Sequence, residues 1–329
     1  MAMPDGPILV TGAAGFIGYH VAAHLLVRGE TVVGIDNLND YYDPRLKQSR
    51  LERLANPRFT FERIELADRA AVEALFARHR FSRIVHLAAQ AGVRYSLTHP
   101  HAYVDSNVTG FLNLLEAVRA RPVEHFVYAS TSSVYGANSK LPFSAEDRVD
   151  HPVSLYAATK RANELMAYVY ARTFGMALTG LRFFTVYGPW GRPDMAAMKF
   201  CRAILAGEPI DVYNHGDLQR DFTYIDDIVA GVVTVLDRVP TPEDGVQHRL
   251  YNIGNHRPEP LMRFIEVLAA ALGRQPQMNM LPMQPGDVHA TYADIGALQR
   301  DYGWQPTTSI DVGLPRLVAW FREYYAFAA

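Results

Sequence analysis

The chain of 329 residues has one cysteine, Cys201, so it cannot close an internal disulfide. A lone thiol suits a reducing compartment, and the expectation is a cytoplasmic protein. Basic residues number 32 against 34 acidic ones, a net charge of −2. There is no cationic surplus of the kind that grips nucleic acid, and no charged tail. No apolar run approaches the ~20 residues that span a bilayer. The opening stretch, Met1 to Pro7, lacks the basic-then-apolar order of a secretion signal. Neither a nucleic-acid nor a membrane partner is expected. Repeats and low-complexity segments are also missing. His99 and His101 flank a proline without a nearby cysteine or matched histidine pair, so they read as solvated loop histidines and no metal is expected. What remains is a chain that is 49% hydrophobic, long enough for about two domains or one large α/β domain with an appendage.

The first half alternates strand and helix patterns. Ile8 to Thr11 is a short apolar run that ends in Gly12-Ala-Ala-Gly15-Phe16-Ile17-Gly18. A helical pattern follows to Arg28, then a second strand from Thr31 to Ile35 that ends in Asp36. Strand, glycine turn, helix, strand and acid form a βαβ dinucleotide unit. Gly12 permits the tight turn, Gly15 lets the backbone approach a pyrophosphate, and Gly18 lets the helix pack close to the sheet. The helix start offers free N–H groups to phosphates. Asp36 accepts hydrogen bonds from an adenosine ribose diol and repels a 2′-phosphate, which favours NAD over NADP. Further strands are read at 59–64, 82–87 and 124–129, with helices at 69–80 and 110–121. Such alternation predicts a doubly wound parallel sheet of Rossmann type. Its ligands belong at the carboxyl ends of the strands, where Ala88-Ala89 and Ser130-Thr131-Ser132-Ser133 lie.

Tyr156 and Lys160 stand four apart in a run from Ser154 that favours helix until Gly175. Four residues along a helix share one face. A free tyrosine has a pKa of about 10, too high for a base at neutral pH, and a neighbouring cation favours the phenolate. The pair reads as a general acid/base. The same spacing also arises on ordinary amphipathic helices, with the tyrosine packed and the lysine in water.

These stretches together resemble the extended short-chain dehydrogenase/reductase family, and within it the nucleotide-sugar 4-epimerases. The marks are Thr11 to Gly18, His86-Leu87-Ala88-Ala89, Tyr156-x-x-x-Lys160 and Arg220-Asp-Phe-Thr-Tyr-Ile-Asp-Asp227. Asp36 to Asp43, Gln90 to Ser96, Thr185 to Met195 and Met283 to Asp287 resemble the UDP-glucuronate 4-epimerases in particular. The resemblance implies a bound NAD held by the glycine turn, Asp36, Asn37, Leu66, Leu87, Ala88, Ala89, Gln90, Asn107, Tyr156 and Lys160. It implies hydride transfer from C4 of the sugar, turnover of the 4-keto sugar, and hydride return to its other face. Tyr156 would be the base and then the acid, with its pKa held down by Lys160, and Thr131 would bond O4 of the sugar. A 4-keto glucuronate is a β-keto acid that loses CO₂ readily, so its carboxylate must be kept charged. Arg192 with Thr185, Ser132 and Ser133 would do this, and Arg94 would face the sugar. Arg220 would grip the diphosphate, whose geometry suits a guanidinium, and Asp287 would complete the substrate contacts. Related dehydratases and decarboxylases carry an acid just before the Val-Tyr-Gly at 134–136, where this chain has Ser133. Glu65 and Gln284 depart from the family's usual Asp and Arg.

The proline and glycine density that rises after Thr185 suggests an interleaved division. Residues 1–184 and about 222–255 would form the nucleotide half, and about 185–221 and 256–329 a substrate lobe with two helical stretches. Tyr41 and Tyr42 read as packing residues. The helices from Gly110 and Ser154 would pair with a second copy, as in related dimers. The neutral alternative is a UDP-glucose 4-epimerase, which needs no carboxylate clamp; a UDP-glucuronate decarboxylase ranks lower. A non-catalytic NAD-binding regulator would require a missing Tyr or Lys, and both are present.

Overall fold

The computed structural model describes residues 6–284 and 288–327. Its strands, in chain order, are β1 (Ile8–Thr11), β2 (Val32–Asp36), β3 (Phe59–Arg63), β4 (Arg83–His86), β5 (His125–Thr131), β6 (Leu178–Phe183), β7 (Thr185–Tyr187), β8 (Ile210–Val212), β9 (Gln219–Tyr224), β10 (His248–Ile253), β11 (Pro258–Pro260) and β12 (Met278–Met280). The helices are α1 (Phe16–Val27), α2 (Pro44–Arg53), α3 (Arg69–Arg78), α4 (Tyr95–Thr98), α5 (Pro100–Tyr103), α6 (Gly110–Ala120), α7 (Leu155–Phe174), α8 (Ala196–Ala206), α9 (Ile225–Leu236), α10 (Leu261–Leu272), α11 (Gly296–Tyr302) and α12 (Ile310–Tyr325).

Seven strands form one parallel sheet in the order β3-β2-β1-β4-β5-β6-β10. Strands β1, β2 and β6 are buried along their whole length, because a parallel sheet is covered on both faces. On one face α3, α6 and α7 pack over Leu9, Val33, Ile84 and Phe126. On the other, α1 and α9 cover Ile8, Val10, Val85 and Val127. The strand order reverses between β1 and β4, which opens a crevice at their carboxyl ends.

After β6 the chain leaves this sheet. β11, β9 and β7 make a small mixed sheet, and β8 pairs with β12. α9 then returns to the main sheet, followed by its edge strand β10. Among the described residues the carboxyl-terminal part carries three helices where the sequence suggested two; the extra one, α11, spans only seven residues.

Helix ends follow local chemistry. Ser154 caps α7 by accepting from the Ala157 N–H at 3.1 Å, and Gly175 ends it at φ 66° in the left-handed region. Asp43 caps α2 ahead of Pro44. No described helix is long and apolar enough to cross a membrane.

Candidate active site

The crevice is a cleft of about 410 Å³. At one end lies the glycine turn. Gly12 has φ +71°, and a Cβ there would stand 2.8 Å from the Ala88 nitrogen. A Cβ on Gly15 would come to 2.9 Å from the Gly12 carbonyl oxygen, and one on Gly18 would collide with it. The turn therefore folds onto itself and onto the end of β4 in a way only glycine allows. α1 starts at Phe16 with no side chain capping it, so its first N–H groups are open to an anion. That cradle fits a dinucleotide pyrophosphate. Thr11 locks the crevice shut behind it: its hydroxyl accepts from the Leu87 and Ala88 N–H groups at 3.2 and 3.0 Å. It donates to Nδ1 of His86 at 2.8 Å, a tautomer assigned from this network. Burial pushes the His86 pKa well down, which keeps the ring neutral.

Asp36 lies at the tip of β2 in the cleft wall, where it accepts from the Leu38 N–H at 2.8 Å. Lys47 from α2 stands 3.6 Å away and donates to Asn39 at 2.9 Å. It provides a countercharge that no sequence motif announced. Asn37 bonds Glu65 at 2.7 Å, which places the departure from the family's usual acid in the same wall. Phe16, Ile17, Leu66, Leu87, Ala89 and Gln90 also line the cleft.

Midway, Tyr156 and Lys160 project from α7 and face Thr131 and Ser132 at the end of β5. Burial pushes the Lys160 ammonium down to about 8, against the pull of Glu164 one turn further on. The Tyr156 phenol is raised by burial, while hydrogen bonding with Thr131 and the charge of Arg192 pull it back. This corrects the expectation that Lys160 is what holds the phenol down: among the protein's own groups the opposing pulls come from Thr131 and Arg192, and they do not outweigh burial. Thr131 donates to Ser133 Oγ at 3.2 Å and accepts from its N–H at the same distance, which shapes the Ser132–Tyr135 turn.

Beyond Tyr156, Thr185 and Arg192 close the far end. The Arg192 guanidinium meets Asp194 side-on, Nε at 3.0 Å and Nη2 at 2.5 Å. Burial works against the Arg192 charge, but Asp194 outweighs it and raises the pKa further. Tyr41 donates to Asp194 at 3.0 Å and stacks edge-on against Tyr95 with ring centres 4.8 Å apart. It is therefore part of the site wall as well as packing.

Three predicted residues lie outside the cleft lining, and a fourth is not among the described residues. Asn107 is buried behind the cleft, where its carboxamide bonds both the N–H and the carbonyl of Gln90, at 2.8 and 3.0 Å. It shapes the wall rather than lining it. Arg94 is exposed, its guanidinium 5.4 Å from the Tyr213 ring centre. Arg220 sits on β9 and donates to the carbonyls of Gln219 and His289 at 2.9 and 3.1 Å. It is outside the cleft lining. Asp287 falls outside the described residues.

Sequence reasoning missed a buried ion pair under the site. Glu164 and Arg182 have side chains 0% and 1% exposed, joined at 2.8 Å and 3.0 Å. Glu164 also accepts from Ser130 at 2.7 Å and from Arg161 at 3.0 Å. Its place on the Tyr156–Lys160 face, one turn further on, was the one available signal.

Comparison with known proteins agrees with this geometry. Residues 8–254 match the model of the NAD dependent epimerase/dehydratase family. The chain is 47% identical over 330 residues to UDP-glucuronate 4-epimerase 3 of Arabidopsis thaliana, covering 97% of this chain and 77% of that one. A crystal structure of UDP-glucuronic acid 4-epimerase from Bacillus cereus, with UDP-glucuronic acid and NAD, superposes with a TM-score of 0.89 at 35% identity, over 97% of this chain and 100% of that one. UDP-glucose 4-epimerase from Thermotoga maritima gives 0.86 at 30% identity, over 97% and 99%. With its glycine turn, Asp36 and Tyr-x-x-x-Lys pair gathered in one crevice, the chain belongs to the NAD-dependent epimerase/dehydratase family of extended short-chain dehydrogenases/reductases.

Proposed function

We propose that the protein interconverts UDP-glucuronate and UDP-galacturonate by NAD-dependent epimerisation at C4. The observation that carries this reading is the meeting, in one cleft, of Tyr156 and Thr131 with Arg192 on one side and the dinucleotide cradle on the other. NAD, held by the glycine turn and Asp36, supplies a reversible hydride acceptor. Tyr156 takes the O4 proton and later returns it, and Thr131 holds that oxygen in line. Lys160 keeps positive charge beneath the site as the phenolate forms. Arg192, Thr185, Ser132 and Ser133 hold the sugar carboxylate charged and hydrogen-bonded, which resists loss of CO₂ from the 4-keto sugar. Ser133 supplies no extra carboxyl group for elimination or decarboxylation.

Residues 1–184 and about 222–255 serve the cofactor, and about 185–221 and 256–329 serve the UDP-sugar; Arg94 faces the sugar, Arg220 grips the diphosphate and Asp287 completes the substrate contacts. A second copy pairs through α6 and α7, whose outer faces expose Leu112, Leu165, Val169 and Phe174 at 40–53%. The cytoplasm, where nucleotide sugars and a free thiol coexist, is the proposed location.

Incubation with UDP-glucuronate, followed by NMR of the anomeric proton, tests the reading. UDP-galacturonate without UDP-pentose is the expected result. A UDP-pentose product would make the protein a decarboxylase, and turnover of UDP-glucose alone would favour the neutral 4-epimerase.

A further inference from the structure

Arg50, on α2, has an exposure of 0% and no acidic partner among the described residues. A buried cation is costly unless its charge is answered. Its bonds go instead to neutral oxygens in two separate places. Nη1 donates to the Ala14 carbonyl at 2.8 Å, inside the glycine turn, and to the Tyr42 hydroxyl at 2.7 Å. Nη2 donates to the carbonyls of Trp190 and Gly191 at 2.6 and 3.3 Å. Nε has no partner.

The second place is the segment that delivers Arg192 to the cleft. Trp190 has φ +62°, a left-handed conformation that costs a bulky side chain free energy and persists only where its surroundings enforce it. Its carbonyl is the one Arg50 holds most closely. His20, on α1, bonds the neighbouring Pro189 carbonyl at 3.0 Å. Three consecutive carbonyls, 189 to 191, are thus gripped by two side chains of the cofactor half. The next residue is Arg192.

We propose that Arg50 is a positioning residue that ties the dinucleotide turn to the 188–192 segment, so that a filled cofactor site sets the posture of Arg192. The proposal rests on the function argued above for the acid-holding role of Arg192. The countercharge would come from the dinucleotide pyrophosphate, which the glycine turn carrying the Ala14 carbonyl would hold. The segment and the turn then respond together: filling the cradle settles Arg50, and Arg50 holds the strained Trp190 turn.

The test compares Arg50→Lys with the wild type, both shown folded by circular dichroism. Lysine keeps the charge but cannot span both sets of carbonyls. The expected result is a several-fold loss of NAD retained through gel filtration. With NAD saturating, KM for UDP-glucuronate should rise about tenfold, the size expected for losing charged hydrogen bonds. The inhibition constant of UDP-glucose, which has no carboxylate, should change less than twofold. If both sugars weaken equally while NAD is retained, Arg50 is only a scaffold residue and the proposal is overturned. A measurement on the wild type covers a variant that does not fold. Hydrogen exchange at rising NAD occupancy should protect residues 188–195 in step with 12–18; protection of 12–18 alone overturns the coupling. Wild-type enzyme that retains NAD but does not convert UDP-glucuronate would instead refute the functional reading.

Discussion

Replacing Glu164 with glutamine should damage the protein in two separable ways. Glu164 answers the Arg182 charge in a place without water, through two bonds at 2.8 and 3.0 Å. Removing one member of a buried pair leaves the other uncompensated and costs about 3–5 kcal/mol. That is a large share of a total stability of roughly 5–15 kcal/mol. The second effect reaches the site. Burial depresses Lys160 from 10.5 to about 8, and Glu164 is the group that opposes the fall. Two charges one helical turn apart, at roughly 6 Å, interact by about 2.8 kcal/mol at an effective dielectric of about 20. Arg182 and Arg161 already answer part of the Glu164 charge, so about half of that is available to Lys160. Losing it should move the deprotonation of Lys160, and with it the alkaline limb of kcat, down by about one pH unit. Because Lys160 is needed charged, activity at pH 8 falls while activity at pH 6 is kept. Urea unfolding and a pH profile of kcat read the two effects. The double variant Glu164→Gln with Arg182→Met should regain most of the lost stability, since Arg182 is no longer left without its partner, yet keep the shifted limb. Unchanged stability together with an unmoved alkaline limb in the single variant would refute both halves of the reasoning.

Three further outcomes are expected. Tyr156→Phe should lower kcat by about 10²–10⁴-fold while NAD stays bound, read by steady-state kinetics and cofactor content; full turnover would remove Tyr156 from the chemistry. Arg192→Ala should raise KM for UDP-glucuronate by about 10–150-fold, from the loss of charged hydrogen bonds worth ~1.5–3 kcal/mol, and should release UDP-pentose, measured by NMR; UDP-glucose binding should be unaffected. Gly18→Ala should abolish NAD binding, measured by calorimetry, because its Cβ collides with the Gly12 carbonyl that shapes the turn; retained tight binding would show that the turn is not the cradle.

The features legible in the sequence were local ones. Strands β1 and β2 fall within a residue of their apolar runs, because a strand buried on both faces needs a continuous apolar stretch. α7 starts and stops at its cap residues, Ser154 and Gly175. The stretch before α6 was missed: α5 and a wider helical turn over Val104–Thr109 lead into it without a break. Polar residues such as Asp105, Ser106 and Asn107 blur the helical period there. His99 and His101 are exposed as expected, but Pro100 starts a helix between them, and the His99 ring stacks on Tyr95 at 4.0 Å. In the site, the glycine turn, Asp36 and Tyr156 were readable because their spacing is fixed within one element or loop. Glu164–Arg182, Arg50–Trp190 and Tyr41–Asp194 were not, since each pair joins residues 18 to 153 positions apart and only the folded sheet brings them together.

The central claim is that the hydrogen at C4 leaves as hydride, is held within the cleft, and returns to the opposite face while Tyr156 handles only the O4 proton. UDP-glucuronate carrying deuterium at C4, converted in ordinary water, tests it most directly. The account predicts UDP-galacturonate that keeps the deuterium at C4; product with the label exchanged for solvent hydrogen would contradict it.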